Sequence, residues 1–208
     1  MIQKGDFVEL NFTARIASND SVFDTTVEDE AKKHNIYSKE ITYKPLVACI
    51  GESQLIPGLD DYLIGKDIGK HTAKIENAFG KKNAKLLRLV SIKEFHKNKI
   101  NPMPGLEVDL DGERGLVRTV NGGRVIVDFN HPLASQDIIY DVDIKGTVED
   151  EAKKAQGILD FLKIPFKDVK VENEKATVLA DLPEQIHEPL STEIKRLTKI
   201  KEVEFRRE

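Results

Sequence analysis

The chain has 208 residues, a formal net charge of −4, 39% hydrophobic and 33% charged residues. This length holds one large domain or two to three small ones, and the composition is that of a globular protein with a well-solvated surface. The acidic balance excludes general nucleic-acid binding, which needs a basic footprint.

The first predicted element is a strand over 7–16. Val8, Leu10, Phe12, Ala14 and Ile16 alternate with Glu9, Asn11, Thr13 and Arg15, the period-two pattern of a half-buried strand. Val22-Phe23-Asp24-Thr25-Thr26 follows, a carboxylate between an aromatic and two hydroxyls; an Asp here also suits a turn that bonds nearby backbone. Glu28-Asp29-Glu30-Ala31-Lys32-Lys33-His34 places acids first and bases last, the order that a solvated helix prefers beside its own dipole. Val47–Ile50 reads as a short buried strand. Pro57-Gly58 opens a short helix with Leu59, Tyr62 and Leu63 on one stripe, and Gly65 stops it. Thr72–Glu76 alternates again and runs into Ala78-Phe79-Gly80.

The stretch 93–130 has a different texture. Asn101-Pro102-Met103-Pro104-Gly105 is a rigid turn, and Asp111-Gly112 and Asn121-Gly122-Gly123 are hairpin signals. They separate strands over Glu107–Leu110, Gly115–Val120 and Arg124–Phe129, a compact all-β unit closed by Asn130-His131-Pro132. Ile138, Tyr140, Val142 and Ile144 then return the chain to the first sheet. Val148–Lys163 is helical in pattern, Val169–Glu172 and Ala176–Ala180 flank a hairpin, Glu188–Thr198 is a second amphipathic helix, and Glu202–Arg206 is a last strand. The fold class is therefore α+β. An antiparallel sheet with a short helix spans 1–85 and 131–146, an inserted all-β domain spans 86–130, and an α-β-β-α-β domain spans 147–208.

With a single cysteine, Cys49, no intrachain disulfide can form, which suits a reducing compartment. No apolar run marks a signal peptide, and none approaches the roughly 20 residues of a membrane span, so a cytoplasmic protein without a membrane partner is expected. The five histidines, at 34, 71, 96, 131 and 187, never fall within a helical turn of one another, so no metal site is expected. Cys49 reads as an inert core residue. Lys81-Lys82 and Lys97–Lys99 form a modest basic patch, read as solvated surface with ribosomal RNA as the alternative. What remains is one acid, Asp24, among apolar side chains, which points to a pocket for an uncharged extended peptide.

The segments Gly5-Asp6-Phe7-Val8, Phe23-Asp24-Thr25-Thr26, Gly51-Glu52-Ser53-Gln54-Leu55-Ile56-Pro57-Gly58-Leu59 and Asp128-Phe129-Asn130-His131-Pro132-Leu133-Ala134, in this order and spacing, resemble FKBP-type peptidyl-prolyl isomerases. More narrowly, the chain is similar to the long archaeal forms, which share an insert-in-flap domain with the bacterial SlyD chaperones. The resemblance covers roughly the first 145 residues. It implies an isomerase without cofactor or metal, with Asp24, Phe23, Ile56, Phe79 and Tyr140 as its catalytic residues and Phe12, Leu46, Leu55 and Leu59 lining the pocket. Leu59 would form the floor, Ile56 would offer its backbone N–H to a substrate carbonyl, and Asp24 would orient the peptide. The family's Tyr-Thr-Gly and Ala-Tyr-Gly stand here as Phe12-Thr13-Ala14 and Ala78-Phe79-Gly80, so two phenol hydroxyls are missing, while Tyr140 stands where relatives often have phenylalanine. In the inserted domain the resemblance implies a chaperone surface for unfolded chains, with candidates Leu106, Leu116, Val117, Val120, Val125, Ile126 and Val127, of which alternation lets only half face outward. Unfolded or nascent proline-containing polypeptides are the implied partners, with FK506-like macrolides as inhibitors and the ribosome as a further docking place. Two other readings stand beside this one: a holdase-type binding protein with a weakened pocket, and an assembly module acting through the C-terminal domain.

Overall fold

The computed structural model describes residues 1–207. In chain order the elements are β1 (Phe7–Ile16), β2 (Val22–Thr25), α1 (Glu28–Lys33), β3 (Leu46–Cys49), α2 (Leu59–Leu63), β4 (Gly69–Ile75), β5 (Leu87–Ser91), α3 (Ile92–Lys97), β6 (Glu107–Leu110), β7 (Glu113–Asn121), β8 (Arg124–Asp128), β9 (Ile138–Thr147), α4 (Glu151–Phe161), β10 (Asp168–Glu172), β11 (Lys175–Leu179), α5 (His187–Leu197) and β12 (Glu202–Arg206). They form two compact units, one from residues 1–75 together with 137 onward, the other from Glu76–Gln136.

In the first unit the sheet runs β2-β1-β9-β4, with β3 also pairing β1, all antiparallel. The expected alternation in β1 is what builds it: Val8, Leu10 and Ala14 are fully buried, and so are Ile138, Val142 and Ile144 opposite them on β9. Phe7 points the other way. With Val47 and Cys49 it joins a second core, formed with Ala155, Ile158 and Leu159 of α4, Val169 of β10, Ala176 and Val178 of β11, and Leu190 and Ile194 of α5. The α-β-β-α-β order expected after residue 147 is present, with β10 antiparallel and β12 parallel to β11. The first helix starts later than the expected Val148, because the Asp150 side chain accepts the N–H groups of Ala152 and Lys153 at 2.8 and 3.1 Å and so caps it. Burial, with the Glu52 charge behind it, pushes the Cys49 thiol up to about 11, so this cysteine stays protonated at neutral pH.

The second unit is a four-stranded antiparallel sheet, β5-β8-β7-β6, over a core of Phe95, Val108, Val117, Val125 and Val127. Its two expected hairpins form as tight turns, with Asp111-Gly112 and Gly122-Gly123 all at left-handed φ (56°, 83°, 54° and 75°), the geometry that matches strand twist. The expectation of an all-β insert is corrected. α3 lies within it, and Phe95 of that helix is the largest fully buried side chain of the protein. Ser91 caps α3 by accepting from Lys93 N–H at 3.3 Å. Six residues are too few to show a helical period in the sequence. β5 precedes the expected start of the sheet and is an edge strand.

α4 lies close on β3 at Gly157. A Cβ there would fall 2.7 Å from Val47 Cγ1 and 2.9 Å from the Val47 carbonyl oxygen. Alanine is the better helix former by about 1 kcal/mol, but overpacking against backbone costs about 1–3 kcal/mol. Gly157→Ala is therefore expected to lower the denaturant midpoint rather than raise it, as equilibrium unfolding in urea would show.

Candidate active site

The site in the first unit is built on one cross-strand row. Ala14 of β1 pairs Asp24 of β2 on one side and Tyr140 of β9 on the other, and Tyr140 pairs Ala73 of β4. Directly paired residues share a face, so Asp24, Ala14, Tyr140 and Ala73 look the same way. The Phe12 ring packs on the Tyr140 ring with centroids 5.6 Å apart at 47°. Phe23, Leu46, Leu55 and Ile56 are half-buried, and Leu59 at the start of α2 is 1% exposed. The turn into α2 needs Gly58, at φ 91°. The Ile56 carbonyl accepts Leu59 N–H at 3.0 Å, whereas the Ile56 N–H meets no protein acceptor among the described residues.

The hydroxyls beside Asp24 have a structural task. Thr25 Oγ1 donates to the Phe12 carbonyl at 2.8 Å and lies 2.9 Å from Thr13 Oγ1. Phe12 N–H donates to Thr26 Oγ1 at 2.9 Å. These bonds fix β2 on β1 at the level of Phe12 and thereby set where Asp24 stands. Asp24 is exposed as a residue, yet partial burial raises its pKa by desolvation, against a smaller opposing effect of the Thr25 backbone N–H. Burial first, and the Asp24 charge second, push the Tyr140 phenol up as well, so it is a neutral hydrogen-bond donor at every physiological pH.

The polar face of the same sheet carries an open cleft of about 850 Å³. Several of its polar groups are paired: Arg15 bonds Asp141 at 3.1 Å and also Asp20, and Thr72 donates to Asp141 at 2.7 Å. It carries no convergent chemistry. Among the described residues no group of His, Cys, Asp and Glu is disposed to hold a metal, and no helix is long and apolar enough to cross a membrane.

The other expected residues lie in the second unit. Phe79 is half-buried and stacks on His131, centroids 4.5 Å apart and planes 6° apart; Leu133 N–H donates to His131 Nδ1 at 3.2 Å. Of the residues expected to meet unfolded chains, Leu116 is half-buried, but Val117, Val125 and Val127 are 1%, 0% and 0% exposed. These three are the core and have no surface to offer. The accessible apolar residues are Leu87, Leu89, Met103 and Ile126, at 46%, 62%, 57% and 36%. Leu87 and Leu89 went unrecognised, although Leu87-Arg88-Leu89-Val90 carries the alternation of a strand.

The row of Asp24, Ala14, Tyr140 and Ala73 thus carries one acid among apolar side chains. Comparison with known proteins gives the family. A family model described as FKBP-type peptidyl-prolyl cis-trans isomerase matches residues 1–87, and one described as FKBP26, IF domain, matches residues 88–133. The chain is 26% identical over 148 residues to the short-type peptidyl-prolyl cis-trans isomerase of Methanocaldococcus jannaschii, covering 70% of this chain and 93% of that protein. It is 33% identical over 109 residues to the FKBP-type 16 kDa peptidyl-prolyl cis-trans isomerase of Escherichia coli (strain K12), covering 49% and 72%. It is 30% identical over 145 residues to the probable FKBP-type 16 kDa isomerase of Pseudomonas fluorescens, covering 66% and 85%. The chain belongs to the FKBP-type peptidyl-prolyl cis-trans isomerase family. It is an enzyme of that type.

The raised Asp24 pKa has a consequence for stability. A carboxyl whose folded pKa exceeds its unfolded one contributes stability below the unfolded value and loses it as pH rises through the folded value. Asp24→Asn is therefore expected to be more stable than the parent at pH 7 and equal to it near pH 3. Denaturant midpoints at the two pH values test this, and a variant weaker than the parent at pH 7 contradicts it.

Proposed function

We propose that this protein is a folding isomerase of the long archaeal, SlyD-like kind. The second unit, as an insert-in-flap domain, binds unfolded chains, and the row at Asp24 isomerises their X–Pro bonds. The planar X–Pro amide is more charge-separated than its twisted transition state. A dry apolar wall of Phe12, Phe23, Leu46, Leu55, Ile56, Leu59 and Tyr140 therefore disfavours the ground state more than the transition state. The barrier is about 18–20 kcal/mol, and lowering it by about 5–7 kcal/mol brings a step of tens of seconds to milliseconds. The Ile56 N–H and Asp24 hold the peptide while it twists, and the chemistry asks for no nucleophile.

The observation that carries the chaperone half is the outer face of the four-stranded sheet. Leu89 pairs Ile126 directly, and Leu87 stands two residues along on the same face. The edge strand β5 thus offers unpaired backbone beside an exposed apolar row, a combination that invites an extended segment of another chain. A client held there has its prolines near the enzyme at raised effective concentration. Cytoplasmic nascent or unfolded chains are the partners this reading implies.

The combined variant Leu89→Asp/Ile126→Asp is expected to leave isomerisation of a prolyl tetrapeptide unchanged while slowing catalysed refolding of a proline-limited protein by about tenfold or more, since burying each leucine-sized side chain is worth about 1.5–3 kcal/mol. Equal activity on both substrates would contradict the reading.

A further inference from the structure

The segment that carries Leu55 and Ile56 runs from the end of β3 to the start of α2 and belongs to no sheet. A strand takes its position from its neighbours, whereas this segment takes it from side chains. Cys49 N–H donates to Gln54 Oε1 at 2.8 Å, and Gly51 N–H donates to Asp60 Oδ1 at 3.1 Å. The third tie comes from outside the segment and outside the sheet. Arg196 of α5 places its Nη1 2.7 Å from Glu52 Oε2.

An isolated exposed ion pair contributes little, because two long side chains must be ordered to make it. Here the arginine is ordered already. Its Nε and Nη2 donate to the two carboxylate oxygens of Glu193, three residues earlier on the same helix, at 2.9 and 2.8 Å. Two parallel bonds fix the plane of the guanidinium, and its remaining nitrogen faces Glu52. Only Glu52, with its side chain 24% exposed, loses freedom on pairing. The same helix shares a core with Val47 and Cys49 of β3, so the strand that leads into the segment is gripped as well. Without Arg196, Glu52 would stand near a second acid with no cation on it. Asp60 is 9% exposed. Burial raises its pKa most; the Gly51 and Ser53 backbone N–H groups oppose this, and the Asp61 and Glu52 charges add to it.

We propose that Arg196 is a positioning residue of the isomerase: through Glu52 it holds residues 51–56 in the shape that presents Leu55 and the Ile56 N–H to the substrate. The C-terminal α-β-β-α-β region then serves the site as its frame. Arg196 itself touches no substrate. Its loss lowers the fraction of molecules whose segment is ready to bind, and apparent affinity falls by that fraction. Once the peptide is bound the segment is in place, so the chemical step keeps its rate. This inference rests on the reading of Leu55 and Ile56 as part of the isomerase site.

The test is isomerisation of a prolyl tetrapeptide by the full-length protein, with kcat and KM determined separately. Arg196→Gln is expected to raise KM about two- to fivefold, the range an exposed pair supplies, with kcat unchanged. Glu52→Gln leaves α5 intact, so it keeps the test valid where Arg196→Gln disturbs that helix, and it is expected to raise KM to the same extent. The double variant is expected to be no worse than either single one, because both act through one contact. Lys153→Gln breaks a different tie of the C-terminal region, the 2.8 Å pair of Lys153 on α4 with Glu9 on β1, and is expected to keep the parental KM. A fall in kcat with KM unchanged, additive effects in the double variant, or an equal rise in KM in Lys153→Gln would each overturn the proposal. If Arg196→Gln and Glu52→Gln match the parent while Leu55→Ala lowers kcat/KM, the positioning role is overturned and the site reading stands. If Leu55→Ala matches the parent too, the site reading fails with it.

Discussion

The first unit depends on the pairing of β1 with β9. Nine residues of β1, Val8 to Ile16, meet β9 on one edge, while β3 and β2 share the other edge in succession. A strand bordered on both edges has its register strongly specified, because a slip by one residue would send Val8, Leu10 and Ala14 to the polar face. That rigidity is what an uncharged site requires. Under the mechanism proposed above, a pocket acting by desolvation has few hydrogen bonds with which to impose a geometry, so the sheet must impose it. The Ala14–Tyr140 pairing places the phenol, the Ala14–Asp24 pairing places the acid, and the threonine bonds to Phe12 hold the short β2 where a longer strand would have held itself. On the opposite face, Phe7 ties the same strand to the core of α4 and α5, so the end of the sheet is buried on both sides.

The site then sets stability against function at one residue. Among apolar groups a carboxylate is poorly solvated, and Asp24 has its pKa raised for that reason. A polar but neutral residue would suit the fold better. The partial exposure of Asp24 limits the cost, and the Thr25 backbone N–H offsets some of it. The arrangement is that of a carboxyl kept in an apolar row but partly open to solvent.

Much of this was legible in the sequence, and the reasons differ by element. β1 and β9 show unbroken alternation because one face of each is buried over its whole length, and the order α-β-β-α-β after residue 147 could be read because each helix is long enough to show its stripe. α3 was not legible: six residues that bury one phenylalanine make no period. β5 was missed because Arg88 and exposed leucines blur the distinction between an edge strand and a loop. In the site, Asp24 and Tyr140 were found by motif, yet their common row through Ala14 follows from register, which no single segment encodes. The valines of β7 and β8 were candidates for client binding for want of that same information. Alternation separates Val125 and Val127 from Ile126 into two faces, and only the packing of Phe95 shows which face is the core.

The two units use apolar surface in opposite ways, and their sequences reflect it. In the first, apolar groups are drawn around one acid and kept dry. In the second, a core of one phenylalanine and small β-branched residues leaves leucines outside. Sixty residues cannot cover all of their apolar surface, so some exposure is inherent, but its placement is not. Leu87 and Leu89 sit on an edge strand, where exposed apolar residues are the greatest hazard for aggregation. Arg88 stands between them, pairs with Glu113 and lies over the Phe129 ring at 4.6 Å. A charge in that position breaks the apolar run without removing the row on the outer face. An edge built only to be safe would have charged residues at 87 and 89 and a neutral one at 88. The reverse order leaves the outer face of the strand apolar while fixing it to its own sheet by the other face, as the proposed client surface would require.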